Sequence, residues 1–312
     1  MDVKQQEYFI AIAEERSISK AAKRLYISQP SLSQYLAKLE DSLNKRLFVR
    51  EKNGTLTLTD AGTFYYESAR EIVKIRDQFL KKLSDLDDRA IIDFDFGINA
   101  GRGIRVFSSI LSAISSKYPN IHAKTRQAPA DVLANLVASD ELDVAFSAYD
   151  VRDPKLKYID FLPSEVVLVL SPSHSLASFG TRTPSSDLPH LPLDMFKGED
   201  FAKLKTGTVL RRVVDEYCNK VNVIPNIKVE THDIYTALSV VESSSYVTLC
   251  PYDLIPNAKY AQLSYIGLNP PLYYQTGIYY NKSVYQTKFM RDFLQAAKKL
   301  ASQPFAITDE RS

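Results

Sequence analysis

The sequence predicts an α/β chain in two parts: a small three-helix unit with a strand hairpin that runs into one long helix, then a larger two-lobed region. Two observations carry this. Apolar residues recur at helical spacing through most of the first ninety positions. From residue 90 onward, β-branched runs alternate with helical stretches, the pattern of βαβ units. The expected boundaries are residues 1–58 for the small unit, 59–89 for the long helix and 90–312 for the rest, with lobes at about 90–162 plus 267–312 and at 163–266.

The 312 residues are 45% hydrophobic and 24% charged, enough for a sizeable core without staples. No apolar run approaches the roughly 18 residues of a membrane span. The N-terminal stretch MDVKQQEYFIAIAEERS carries acids within its apolar part and has no small-residue cleavage site, so it does not read as a signal peptide and a cytoplasmic protein is expected. Cys218 and Cys250 fit a reducing compartment. Cys250, in the apolar run YVTLC, reads as a small core residue, with a redox pair as the lesser alternative.

Tyr8, Phe9, Ile12 and Ala13 mark a first helix; Ser17 interrupts it before Ile18, Ala21, Ala22 and Leu25 continue in a second. After the turn Tyr26-Ile27, Ser28 is placed as an N-cap and Pro30 in the first turn of a third helix. Leu32, Leu36, Leu39 and Leu43 fall on one stripe, predicted to be buried. The opposite face carries Pro30, Gln34, Ala37 and Lys38, flanked by Ser31 and Ser33. These short donors and acceptors suit base edges in a DNA major groove.

Charge supports that reading. Residues 16–52 hold nine Lys and Arg against three acids, a local excess of six, although the whole chain is only +2. Leu47–Arg50 and Thr55–Leu58 are alternating runs around Glu51-Lys52-Asn53-Gly54, a hairpin turn and thus a wing. The expected DNA contacts are Ser28, Gln29, Pro30, Ser31, Ser33, Gln34 and Lys38, with Arg50 and Lys52 on the phosphate backbone.

Thr59-Asp60 caps the long helix, whose seam Tyr65, Ala69, Ile72, Phe79, Leu83 and Leu86 is broken by Arg76. A single apolar stripe on so long a helix asks for a partner: a second copy of the helix, or the chain's own second domain.

In the larger part, strands are expected at 91–98, 121–126, 143–147, 165–170 and 226–230, and helices at 103–117, 130–139, 208–221 and 233–243, forming mostly parallel sheets. The chain crosses between lobes near Leu162-Pro163-Ser164 and Tyr265-Ile266-Gly267, so a ligand would lie between them at strand ends. Three loops line the expected cleft: Asn99–Gly103, with Gly101, Arg102 and Gly103, and Lys205-Thr206-Gly207-Thr208 could each present a helix N-terminus to an anion, with Arg102 and Lys205 adding charge, while Thr231-His232-Asp233 opens a third helix with Asp233 as its N-cap. Plain helix capping is the alternative at each.

The run Phe9–Glu15, with Ser17–Ala22, Ser28–Ser33, Leu39-Glu40, Leu47-Phe48, Arg50 and Leu58–Gly62, resembles the N-terminal domain of LysR-type transcriptional regulators. Glu141–Ala145, Leu210-Arg211-Arg212 and Val247–Pro251 resemble, more loosely, the family's effector domain. The resemblance implies a winged helix-turn-helix that binds promoter DNA, a helix that joins a homodimer, a periplasmic-binding-protein-like effector domain, and assembly into a homotetramer. It also implies that Ala100, Gln127, Ala128, Ser147, Thr208 and Thr231 face the effector. Two departures stand out. Gln34 replaces an arginine frequent in the family, shifting preference from guanine towards adenine. Tyr246 stands where the family usually has glycine, and would stack on an effector or fill part of its cleft.

An enzyme is not expected, nor any cofactor or metal. Ser171-Pro172-Ser173-His174-Ser175 invites a hydrolase reading, but a nucleophile and base must meet in space with a third orienting group. No GxSxG, P-loop or HExxH motif occurs. A solute-binding protein without regulatory output would leave the first ninety residues unexplained.

Overall fold

The computed structural model describes residues 2–52, 54–87, 90–99, 101–149, 152–181, 188–255, 260, 262–283 and 286–303. These form two compact units, Met1–Ala90 and Ile91–Ser312.

In the first unit, helices α1 (Val3–Glu15), α2 (Ile18–Arg24) and α3 (Gln29–Leu43) are each opened by a side chain, Asp2, Ser17 and Ser28, that accepts from a backbone N–H of the first turn. Phe9, Ile12, Ala21 and Leu32 are fully buried between them, and the Phe9 ring lies 5.0 Å from Phe48 and 4.6 Å from Tyr65. The predicted stripe on α3 holds for Leu32 and Leu36 and fades at half-buried Leu39. It fails at Leu43, which is 41% exposed, because the helix ends there and Asn44 turns the chain away with φ 47°. Glu40 takes the inward position instead. Its carboxylate accepts from the N–H groups of Leu47 at 2.6 Å and Phe48 at 3.2 Å and from Arg46 at 2.8 Å.

Strands β1 (Phe48–Arg50) and β2 (Leu56–Leu58) pair antiparallel, Phe48 opposite Leu58 and Arg50 opposite Leu56, giving the wing; Asn53 of its turn lies outside the described residues. Helix α4 (Asp60–Ser84) follows, with the Thr59 hydroxyl oxygen accepting from Gly62 N–H at 3.0 Å. A Cβ on Gly62 would come within 2.0 Å of the Leu47 carbonyl oxygen, so only glycine lets α4 press this close to the wing. The first half of α4 packs on α1, burying Ala69, and Arg76 breaks the seam to pair with Glu7 at 2.6 Å. In the second half of α4, Ile75, Phe79, Leu80 and Leu83 are exposed.

The second unit begins with β3 (Ile92–Ile98), α5 (Gly101–Ile114), β4 (Ile121–Gln127), α6 (Ala130–Ala138), β5 (Val144–Ala148) and β6 (Leu156–Asp160). The chain then crosses at 161–163 into the second lobe: β7 (Ser164–Leu170), β8 (His190–Leu191), β9 (Asp200–Leu204), α7 (Val209–Lys220), β10 (Asn226–Thr231), α8 (Ile234–Glu242), β11 (Val247–Pro251), β12 (Ser264–Leu268) and β13 (Tyr273–Tyr274). It returns as β14 (Thr276–Asn281) and closes with α9 (Lys288–Ala301).

The first sheet runs β4-β3-β5-β14-β6 and the second β10-β9-β11-β7-β12-β8, with β13 also on β7. Both are mixed, which corrects the expectation of mostly parallel sheets. The cause is the crossings: β14 is antiparallel to β5 and β6, and β7 is antiparallel to β11 and β12. The second crossing also falls later than predicted. Tyr265-Ile266-Gly267 lies within β12, in register with Val169-Leu168-Val167, and β13 still pairs with β7, so the chain leaves the second lobe only after residue 274. Central strands β5 and β11 are buried along their whole length, as both faces are covered. The first lobe's core centres on Phe94, whose ring stands 4.9 Å from Phe289 and 4.8 Å from Phe293 of α9. Among the described residues, no helix is long and apolar enough to cross a membrane.

Candidate DNA interface and effector cleft

The outer face of α3 is as the sequence predicts: Gln29, Pro30, Ser31, Gln34 and Lys38 are exposed and Ser33 is partly so. Several of these groups are already held in place. Ser28 caps the helix, and its hydroxyl shares a 2.7 Å hydrogen bond with that of Ser31. Gln29 Oε1 accepts from the Ser19 hydroxyl of α2 at 2.6 Å, which turns the amide NH2 outward. Gln34 and Lys38 lie one helical turn apart, while Arg50 and Lys52 are exposed on the wing. The exposed face thus carries donors and acceptors of the kind that suit base edges, and the wing carries exposed cations.

In the second unit a cavity of about 920 Å³ opens between the lobes. It lies at the carboxyl ends of β4, β9 and β10, where open α/β sheets bind ligands. Three helices begin on its wall. Pro129 precedes α6 with no side-chain cap; Thr208 caps α7, accepting from Arg211 N–H at 3.3 Å; Asp233 caps α8, accepting from Thr236 N–H at 2.9 Å. Lys205, Arg212 and His232 line the cavity as well, against Asp131 and Asp233. Burial would raise the Asp233 pKa, but donation from Thr236 and from the Tyr235 N–H, with the nearby His232, outweighs it and holds the carboxyl below its ordinary value. Ile104, Leu254, Tyr235 and Tyr274 supply an apolar part.

Of the residues singled out from sequence, Gln127, Ala128, Lys205, Thr206, Gly207, Thr208 and His232 line this cavity. Ala100 lies outside the described residues. Among the described residues the walls do not include Arg102, Gly103, Ser147, Thr231 or Tyr246, and the surroundings of Gly101 lie outside what is described. Arg102 is buried in an ion pair with Asp253, so its charge is spent inside the protein. A Cβ on Gly103 would meet Ile98 at 2.8 Å, so that glycine serves helix-to-strand packing. The hydroxyl of Ser147 bonds to that of Tyr279 at 3.1 Å, and Thr231 donates to the Asp233 carbonyl at 3.0 Å. Tyr246 precedes β11 and stands at its amino end, whereas the cavity lies at the carboxyl ends, so it neither fills nor lines it. The reading missed Asp131, Arg212, Tyr235 and Tyr274. Asp131 and Arg212 sit in first turns of helices that follow strands, a signal present in the sequence; Tyr274 is brought in by the second crossing.

The motif around His174 is structural. Its Nδ1 accepts from Leu176 N–H at 3.1 Å and its Nε2 faces Glu199 at 3.0 Å, while Ser171 bonds Ser173. Both cysteines are buried and free, and burial pushes both thiols above their ordinary pKa.

A winged helix-turn-helix on one unit and an interlobe cleft on the other together define a DNA-binding transcription regulator with an effector domain. Residues 3–63 match the family described as bacterial regulatory helix-turn-helix protein, lysR family, and residues 97–302 match the LysR substrate binding domain. The chain belongs to the LysR family. It is 27% identical over 314 residues to the HTH-type transcriptional regulator YcgK of Bacillus subtilis strain 168, covering 98% of this chain and 96% of the relative. Its identity to BsdA of the same organism is 29% over 258 residues, 82% of this chain and 86% of the relative. Among solved structures it resembles a full-length OxyR variant from Pseudomonas aeruginosa, with TM-score 0.68, 17% identity and 96% and 99% of the two chains covered. Full-length CbnR complexed with its target DNA gives TM-score 0.61 at 18% identity, covering 96% and 100%.

Proposed function

We propose that the protein is a cytoplasmic, non-enzymatic regulator that reads duplex promoter DNA with α3, Gln34 setting base preference and Arg50 and Lys52 holding phosphate. In this reading two copies pair through the exposed apolar stretch of α4 at Ile75, Phe79, Leu80 and Leu83, and two such dimers form a homotetramer. The effector is a small anion, most simply a carboxylate, with an apolar body. The observation that carries this is the convergence of three helix N-termini with Lys205, Arg212 and His232 on one cavity beside Tyr235 and Tyr274. Binding across the cleft shifts an existing equilibrium between tetramer shapes and so alters how far the DNA is bent.

A thermal-shift screen of aromatic and aliphatic carboxylates, phosphates and their neutral amides tests the effector class. Carboxylates should raise the unfolding midpoint, and Arg212→Gln should abolish the rise. Stabilisation by the neutral compounds alone would sink this reading.

A further inference from the structure

Helix α2 ends in a Schellman motif. Leu25 is its C-cap; Tyr26 N–H donates to the Lys23 carbonyl at 3.2 Å and Ile27 N–H to that of Ala22 at 3.1 Å. Tyr26 therefore occupies the left-handed position of the motif, with φ 54°, where glycine is the usual residue because a Cβ is disfavoured there. Asn44, at the equivalent bend after α3, is a residue that tolerates this conformation; tyrosine is not. Packing does not offset the cost, since Tyr26 is 95% exposed. A strained position that keeps a large side chain in solvent points to a function for that side chain.

Its place in the fold names the function. In a helix-turn-helix the first helix crosses the DNA backbone and the second enters the major groove, so the residue between them stands at the phosphate rim. Tyr26 is that residue, two positions before Ser28, with Lys20 and Lys23 exposed on the adjoining helix. We infer that Tyr26 is a DNA-positioning residue whose hydroxyl donates to a backbone phosphate beside the groove read by α3. The inference rests on α3 being the groove-reading helix.

The test uses the full chain, a duplex that the protein itself selects from a random pool, and a scrambled duplex. Tyr26→Phe and Tyr26→Gly should each weaken binding about tenfold on both duplexes, because phosphate carries no sequence information. The slope of log affinity against log salt should not change, because a neutral hydroxyl releases no counterion; Arg50→Ala should lower it by about one. The unfolding midpoint of Tyr26→Gly should be no lower than that of the parent. Unchanged affinity in Tyr26→Phe, or a loss confined to the selected duplex, would overturn the inference. Gln34→Ala and Arg50→Ala serve as controls: if they weaken binding and Tyr26→Phe does not, only the tyrosine assignment fails, and if none of the three does, the groove-reading role of α3 fails with it.

Discussion

Arg102 of α5 and Asp253 of the 252–254 turn form a buried ion pair that joins a helix of one lobe to a turn of the other, with the arginine side chain only 3% exposed. Arg105 adds a 2.8 Å bond to the Asp253 carbonyl. Burial pushes the Arg102 pKa down and the facing carboxylate opposes that shift. Arg102→Ala strands a buried carboxylate and should destabilise the effector unit by about 3 kcal/mol. Asp253→Ala should cost a similar amount, and the double variant clearly less than the sum. Urea unfolding of all three checks this; strictly additive losses would show that the pair is not coupled.

Glu40 ties the end of α3 to the first wing strand through three accepted hydrogen bonds. Removing the acceptor in Glu40→Ala should cost about 3 kcal/mol, since two buried backbone N–H groups lose their partner. Glu40→Gln keeps one acceptor oxygen and should cost about 1 kcal/mol. Thermal unfolding measures both. DNA affinity should fall in the same order, because the wing is no longer fixed to the helix.

Gln34→Ala should relax base preference, reducing affinity for the selected duplex by about 1–3 kcal/mol while sparing scrambled DNA. Arg50→Ala should weaken both duplexes alike. Fluorescence anisotropy on the two DNAs separates the roles, and identical profiles for the two variants would contradict the division of labour.

Asp215 lies between Lys203 at 2.5 Å and Arg211 at 2.6 Å. Burial alone would raise its pKa, but the two cations win and hold it below the ordinary value of 3.8. A carboxyl depressed in the folded state stabilises above its unfolded pKa, and that contribution is lost as pH falls through the folded value. Asp215→Asn should therefore lower the unfolding midpoint at pH 7 and flatten its decline below about pH 4. A parallel acid limb in the variant would remove Asp215 from the account.

Residues 1–87 were the more legible part, because caps and apolar spacing are local signals. Ser28 and Thr59 are read directly as N-caps, and each accepts from its first turn; Ser17, legible only as a break between two helices, caps α2 in the same way. Leu43 misleads because a stripe says nothing of where the helix stops. Glu40 is invisible because its partners lie seven and eight residues on, across a turn. In the effector unit the strand-to-helix loops were legible, and four of the cavity residues come from Lys205–Thr208. Arg102 was not. Its position beside a loop glycine suggests a ligand, and only the packing of the two lobes brings Asp253 to it. Tyr246 illustrates strand polarity: one end of β11 approaches the cleft through Leu254, and Tyr246 precedes the other.

The Glu40 clamp has a consequence for the operator. If Gln34 and Arg50 contact DNA as proposed, helix and wing locked together before DNA arrives make the span between them a calliper of set opening. Differences in groove width among candidate sites must then be absorbed by the duplex, whose stiffness varies with its base steps. On that reading, base pairs that no side chain touches should be selected for how readily they yield.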